Sequence, residues 1–264
     1  PKNATLVPEH KNSLVDLAVR TVKFAKLLPS ALLYRLPSSG PYEQERLSSS
    51  YQFPILEFAD ICNFPSNETF LAVSITADLP LKRAPKSKII MFRNSNGKEE
   101  HFAIVVGEGL SAKEPLVRLH SQCLTGDVLG SLKCDCGDQL ENALSMMSEA
   151  GNGVVLYLAQ EGRDIGLLNK IRAYALQDAG LDTVEANHSL GFDTDERGFK
   201  TAAEMLGLLG LNRIKLLTNN PDKVKQLDDY GIIVTQRVPL HLPTNKYNQN
   251  YMKIKKEKTG HLLK

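Results

Sequence analysis

Val154-Val155-Leu156-Tyr157-Leu158 runs through Ala159-Gln160 into Glu161-Gly162-Arg163-Asp164, and the architecture is read from this stretch. Apolar residues in continuous order, not in alternation, predict a strand covered on both faces, as in the centre of a parallel sheet. A polar, glycine-containing turn follows, and then a helical pattern from near Ile165 to Gly180. Strands that turn through polar residues into helices build α/β folds, whose ligands bind at strand carboxyl ends beside helix N-termini.

The neighbouring segments repeat the pattern. Residues 138–150 have helical spacing at Leu140, Ala143, Leu144 and Met147, with Gly151 placed as a C-cap. Upstream, residues 116–120 predict a strand, and residues 88–93 and 101–106 predict two more joined by the turn signal Asn94-Ser95-Asn96-Gly97. Downstream come a helix at 200–209, a strand at 213–218, the cap and first-turn pair Asn220-Pro221, a helix at 222–230 stopped by Gly231, and a strand at 232–238. The expected class is therefore α/β, a mixed and mostly parallel sheet flanked by helices. The regular pattern starts at about Ala77, so residues 77–264 are expected to form the catalytic domain and residues 1–76 an accessory N-terminal segment. That segment predicts a helix at 13–28, capped by Asn12 or Ser13 and ended by Pro29. It then reads as loop-like through Pro37-Ser38-Ser39-Gly40-Pro41 and Ser48-Ser49-Ser50. Its lone thiol, Cys62, reads as a small buried hydrophobe.

Composition narrows the function. The chain has 264 residues, 42% apolar and 23% charged, and its 32 Lys and Arg nearly balance 30 Asp and Glu, for a net charge of +2. No overall field favours nucleic acid or an anionic membrane, and no apolar run approaches the roughly 20 residues of a membrane-spanning helix. The chain opens at Pro1 without a signal-peptide pattern, so a cytoplasmic location is expected, and the glycosylation triplets at Asn67 and Asn187 are expected to go unused. Four cysteines are too few for a disulfide scaffold and point to metal or thiol chemistry in a reducing compartment.

Three of those four, Cys123, Cys134 and Cys136, form a C-x10-C-x-C cluster. Three thiolates match a catalytic zinc site, which keeps its fourth position for water; a fourth ligand such as His120 would instead close it into a structural one. A disulfide is the alternative, disfavoured because adjacent C-x-C thiols are poorly placed to pair. Glu161-Gly162-Arg163-Asp164 and Thr218-Asn219-Asn220-Pro221-Asp222-Lys223 each sit where a strand end meets a helix start, positions that suit phosphate through backbone amides, Arg163 and Lys223. A polar loop holding Asp182, Glu185, Asn187, His188, Asp193, Asp195, Glu196 and Arg197 is the third candidate region.

Together these residues resemble GTP cyclohydrolase II. The resemblance rests on Arg118-Leu119-His120-Ser121-Gln122-Cys123-Leu124-Thr125-Gly126-Asp127, Cys134-Asp135-Cys136-Gly137, Gln160-Glu161-Gly162-Arg163, residues 166–174, residues 182–187, Asp195-Glu196-Arg197, Leu217-Thr218-Asn219-Asn220-Pro221 and the tail Gly260-His261-Leu262-Leu263. It covers residues 77–264 and leaves out residues 1–76, which do not resemble the dihydroxybutanone phosphate synthase fused to this enzyme in some organisms. The resemblance implies hydrolysis of GTP, with the imidazole ring opened, C8 lost as formate and pyrophosphate released, at the start of riboflavin biosynthesis. It implies one Zn2+ per subunit on Cys123, Cys134 and Cys136, Mg2+ on the triphosphate, and a homodimer with neither nucleic acid nor membrane as partner. Tyr174, Asp195 and Arg197 match the family's catalytic residues: Tyr174 acts on the ring-opening intermediate, Asp195 as proton acceptor, and Arg197 at the α-phosphate. Substrate contacts carried over from the family fall on Arg118, Leu119, His120, Ser121, Gln122, Gln139, Glu161, Gly162, Arg163, Thr183, Thr218 and Lys223. Gln122 stands where many members carry Glu.

Overall fold

The computed structural model describes residues 13–33, 40–52, 55, 57, 59, 70–95, 99–240, 242–249, 253–254 and 262. The chain divides into two compact units, Pro1–Thr69 and Phe70–Lys264.

In the first unit, helix α1 (Leu14–Phe24) is capped by Ser13, whose hydroxyl accepts from the Asp16 amide at 3.1 Å. The helix ends before the predicted residue 28, because Lys26 adopts a left-handed conformation (φ 56) ahead of Pro29. A second helix, α2 (Pro41–Tyr51), occupies a stretch that the sequence reads as loop. Pro41 in its first turn is a helix-start signal. The serines that follow give no apolar stripe by which a helix would be recognised. Cys62 and Asn67 lie outside the described residues.

The second unit is built on one seven-stranded sheet: β1 (Leu71–Asp78), β2 (Ser87–Asn94), β3 (Glu100–Gly107), β4 (Leu116–Ser121), β5 (Asn152–Leu158), β6 (Arg213–Leu217) and β7 (Ile233–Val238), in spatial order β1-β2-β3-β5-β4-β6-β7. β4, β5, β6 and β7 pair parallel, whereas β1, β2, β3 and β5 pair antiparallel in succession. Five strands therefore share one direction, with β1 and β3 opposed, which is the mixed, mostly parallel α/β sheet expected. β1 begins ahead of residue 77; it is an edge strand, exposed along nearly its whole length, and pairing with β2 rather than burial defines it.

Helices α3 (Cys136–Ala150), α4 (Leu167–Asp178), α5 (Thr183–Ser189), α6 (Lys200–Leu208) and α7 (Pro221–Asp229) complete the unit. Both faces of the central strands are covered. Val154, Leu156 and Leu158 of β5 pack with Met205 and Leu206 of α6 and Leu227 of α7, while Val155 packs on the other face with Leu144 and Met147 of α3. This two-sided burial accounts for the continuous apolar run in β5. Gly151 ends α3 in the left-handed conformation (φ 71) predicted for it. α5 corrects the reading of residues 182–189 as loop: Asp182 accepts from the Val184 and Glu185 amides, and the Glu185 carboxylate accepts from the Asp182 amide. Because α3 crosses on one face and α6 and α7 on the other, the carboxyl ends of β4, β5 and β6 open together at a switch point, where α/β sheets bind ligands.

Candidate active site and metal centre

A pocket at those three strand ends collects most of the predicted site. After β4 come Gln122 and Cys123; after β5, Gly162 and Arg163; after β6, Thr218, Asn219 and Asn220. Arg118, Leu119, His120, Ser121, Gln122, Gln139, Gly162, Arg163, Tyr174, Thr183, Arg197, Thr218, Lys223 and the three cysteines all line it. Glu161 and Asp195 are not in the lining, and each is engaged by a basic side chain of the protein itself.

The ligand atoms of Cys123, Cys134 and Cys136 lie within 4.8 Å of one another, with Cys123 Sγ and Cys134 Sγ 3.7 Å apart. A five-residue π-helical turn, Leu124–Val128, folds the chain back so that the C-x10-C spacing closes. Gly126 makes room for it: a Cβ there would lie 2.8 Å from Cys134 Sγ, 3.1 Å from Cys123 Sγ and 3.0 Å from Cys136 Cβ. Three free thiols converging in a cradle that one methyl group would fill are a fitting donor set for a thiophilic divalent metal. His120 does not complete the set, since its Nε2 lies 3.0 Å from Asp127 and the metal-competent group found among the described residues is the three cysteines.

Gly126→Ala therefore overpacks the centre, at a cost of about 1–3 kcal/mol. The expected result is metal affinity weakened by about 10-fold or more in chelator competition; unchanged affinity would show that the loop relaxes around the added methyl group.

Charges are distributed to favour a thiolate. Hydrogen bonds from the Cys134 and Cys136 thiols pull the Cys123 thiol far below its ordinary range against the effect of burial, with the Lys170 ammonium assisting. Those same bonds push Cys134 and Cys136 upward. Lys170, which sequence reasoning passed over, donates to Cys123 Sγ at 3.0 Å and to Glu161 Oε1 at 2.8 Å. Asp127 was also missed as a functional group. Its buried carboxylate accepts from the Cys123 amide at 3.0 Å, Tyr157 at 2.8 Å and His120. A carboxylate only accepts, so His120 donates from Nε2 and keeps an acceptor lone pair on Nδ1, which is buried and finds no hydrogen-bond partner. Burial holds the His120 pKa below its usual value despite Asp127, so the ring is neutral at pH 7.

The basic side chains are anchored separately. Burial lowers Arg118 to about 10, with Asp135 opposing, so it stays charged at neutral pH; it donates to the Leu217 carbonyl and to Gln139. Lys223 Nζ donates to the Leu119 carbonyl at 2.9 Å. Arg163 donates to the Thr194 carbonyl at 2.9 Å from a turn in which Gly162, Arg163 and Asp164 all have positive φ. Such backbone costs about 1–3 kcal/mol at a non-glycine residue and clusters at functional sites. Arg197 grips Asp195 with two nitrogens, at 2.8 and 2.5 Å, and reaches Ser121 Oγ at 3.3 Å. Tyr174 stands on α4 one turn after Lys170, with the Lys133 and Lys170 ammonium groups 5.2 and 5.9 Å from its ring centroid.

A family model described as GTP cyclohydrolase II matches residues 72–239, the segment that carries this pocket. The chain belongs to the GTP cyclohydrolase II family. It is 52% identical over 177 residues to the GTP cyclohydrolase-2 of Haemophilus influenzae (strain PittGG), covering 67% of this chain and 82% of that one. Similarity to two longer relatives extends further. The riboflavin biosynthesis protein RibBA of Endomicrobium trichonymphae is 42% identical over 97% of this chain, and the GTP cyclohydrolase-2 of Azospirillum brasilense is 41% identical over 100%. This chain spans 64% and 68% of those relatives' own lengths. Both alignments run into the N-terminal segment, whereas the family model starts at residue 72.

Proposed function

We propose that this chain hydrolyses GTP as a GTP cyclohydrolase II. The imidazole ring is opened, formate and pyrophosphate are released, and 2,5-diamino-6-(5-phosphoribosylamino)pyrimidin-4-one is left as the first product of riboflavin biosynthesis. The observation that carries this reading is the meeting, in one pocket, of a three-thiol centre with the buried cations Arg118 and Lys223 and with Arg197. Nucleotide hydrolysis at both base and phosphate needs both kinds of group.

Cys123, Cys134 and Cys136 would hold Zn2+, which with three protein ligands and an open fourth position activates water at neutral pH. Around it the protein's own groups divide the work. Tyr174, one turn after Lys170 on α4, would give a proton or hydrogen bond to the opening ring. The neutral His120 ring and Gln122 offer hydrogen-bonding edges to the base. Arg118, Arg163 and Lys223 suit the triphosphate with its Mg2+, and Arg197, held by Asp195, stabilises charge as pyrophosphate leaves. The location is taken to be cytoplasmic; no described helix is long and apolar enough to cross a membrane. The working form is taken to be a homodimer, which sedimentation measures, and residues 1–76 are assigned no part in the chemistry.

The test is to incubate the protein with GTP and Mg2+ and to quantify formate, pyrophosphate and the diaminopyrimidinone, with a zinc-stripped sample in parallel. Formate and pyrophosphate appearing together, with ring opening lost on stripping, support the reading; bound zinc and bound GTP without turnover would overturn it. Tyr174→Phe removes one hydroxyl from the pocket. It is expected to slow formate release by about 100-fold or more while sparing pyrophosphate release, and an equal fall in both products would remove Tyr174 from the ring-opening step.

A further inference from the structure

We propose that Lys170 is the positioning cation of the three-thiol centre: clamped by Glu161, it donates to the Cys123 sulfur and sets how that ligand holds a divalent metal. The inference rests on the reading of that centre as a metal site and deepens it. Lys170 and Glu161 are both buried, and the ammonium stands between the carboxylate and the sulfur, 2.8 Å from Glu161 Oε1 and 3.0 Å from Cys123 Sγ.

Glu161 is fully occupied in holding this arrangement. Its Oε1 also accepts from the Gly162 amide at 2.9 Å, and its Oε2 accepts from the Leu124 amide at 2.7 Å. The pair therefore grasps Cys123 at two points, the sulfur itself and the peptide that follows it. A Glu161 so used is a positioning residue, whereas the family resemblance placed it among the substrate contacts.

The physical consequence is local. An ammonium and a carboxylate add no net charge, but the positive member faces the sulfur. A hydrogen bond to a ligand thiolate draws electron density from it, so the bound metal receives less charge and is the stronger Lewis acid. Groups that orient metal ligands from behind typically change metal affinity or activity by about 10- to 100-fold when removed. The geometry also explains why a lysine sits in a buried place next to cysteines: without it, Glu161 and a Cys123 thiolate would be neighbouring buried anions, an arrangement that folding disfavours.

The experiment uses the full chain loaded with Zn2+ or, as a spectroscopic probe, Co2+. Three variants are compared with wild type: Lys170→Met, Lys170→Arg, and the double change Lys170→Met with Glu161→Gln, which removes both charges and leaves no lone buried carboxylate. In Lys170→Met and the double variant, zinc affinity is expected to weaken by about 10- to 100-fold in chelator competition. The thiolate-to-cobalt charge-transfer band is expected to move to longer wavelength, as it does when a sulfur loses a hydrogen bond. Lys170→Arg should return both quantities toward wild type. A folded Lys170→Met protein with an unshifted band would overturn the proposal, as would loss of affinity without a shift in the double variant. Should Lys170→Met fail to fold, the double variant decides by the same two readouts. Neither readout involves GTP. Absent turnover with a Lys170-dependent band would therefore refute the cyclohydrolase reading alone, and normal turnover with an unshifted band would refute this inference alone.

Discussion

Cys134→Ser is expected to leave the purified protein without bound metal and without formate release. Serine offers a hydroxyl that stays protonated at neutral pH, so only two thiolates remain where a catalytic zinc needs three protein ligands. The neighbouring groups cannot compensate. His120 is turned to Asp127, and no other described ligand group was found beside the cysteines. Cys134 is buried with its sulfur 3.7 Å from that of Cys123, so the loss of this ligand falls at the heart of the cluster. Metal content per chain, measured on the purified variant, is the check. Full stoichiometry would remove these three residues as the metal ligands, and unchanged formate release would separate ring opening from the cluster altogether. Binding of the triphosphate is expected to survive, since Arg118, Lys223 and Arg197 are held by the Leu217 carbonyl, the Leu119 carbonyl and Ser121, none of them through Cys134.

Arg197→Ala is expected to lower pyrophosphate release by about 1,000-fold or more, the range seen when a phosphoryl-stabilising arginine is removed, while metal content stays at wild-type level. Its guanidinium is pre-set by the fork to Asp195 and the bond to Ser121, so little ordering is left to be done when substrate binds. The pair also predicts a pH profile. Burial works to raise the Asp195 pKa, but the Arg197 hydrogen bonds and charge outweigh it and hold the carboxyl below its ordinary value. A depressed folded-state pKa means that the pair is intact above the ordinary carboxylate value and is lost only as pH falls through the lower one. Between about pH 5 and 8 Asp195 thus stays ionised, and pyrophosphate release should show no acid limb from this group. A limb that vanishes in Asp195→Asn would contradict the assignment of Asp195 as the holder of Arg197. Pyrophosphate release unaffected in Arg197→Ala would remove the arginine from the step.

What the linear order revealed, and what it hid, follows from where the forces originate. Strand β5 was legible because burial on both faces writes itself as a continuous apolar run, and α7 because Asn220-Pro221 and Gly231 are local start and stop signals. Helix α5 was read as loop although Asp182 and Glu185 form a capping box within four residues, because its polar composition masked that local signal. Strand β1 was not readable, because its exposed residues are ordered by β2 and not by a core. The same division holds in the site. Cys123, Cys134 and Cys136 lie close in the chain and chemically few residue sets do what three thiols do, so their spacing alone marked a candidate metal centre. Lys170 lies 47 positions from Cys123, and Glu161 37 from Leu124, in segments whose motifs pointed to phosphate and substrate and not to the cysteines. Only the parallel pairing of β4 with β5, which brings the two strand ends side by side, sets this lysine and glutamate behind the Cys123 sulfur. Composition, caps and periodicity act over one or two turns of chain, whereas a buried ion pair depends on which strands become neighbours, and that is settled by packing.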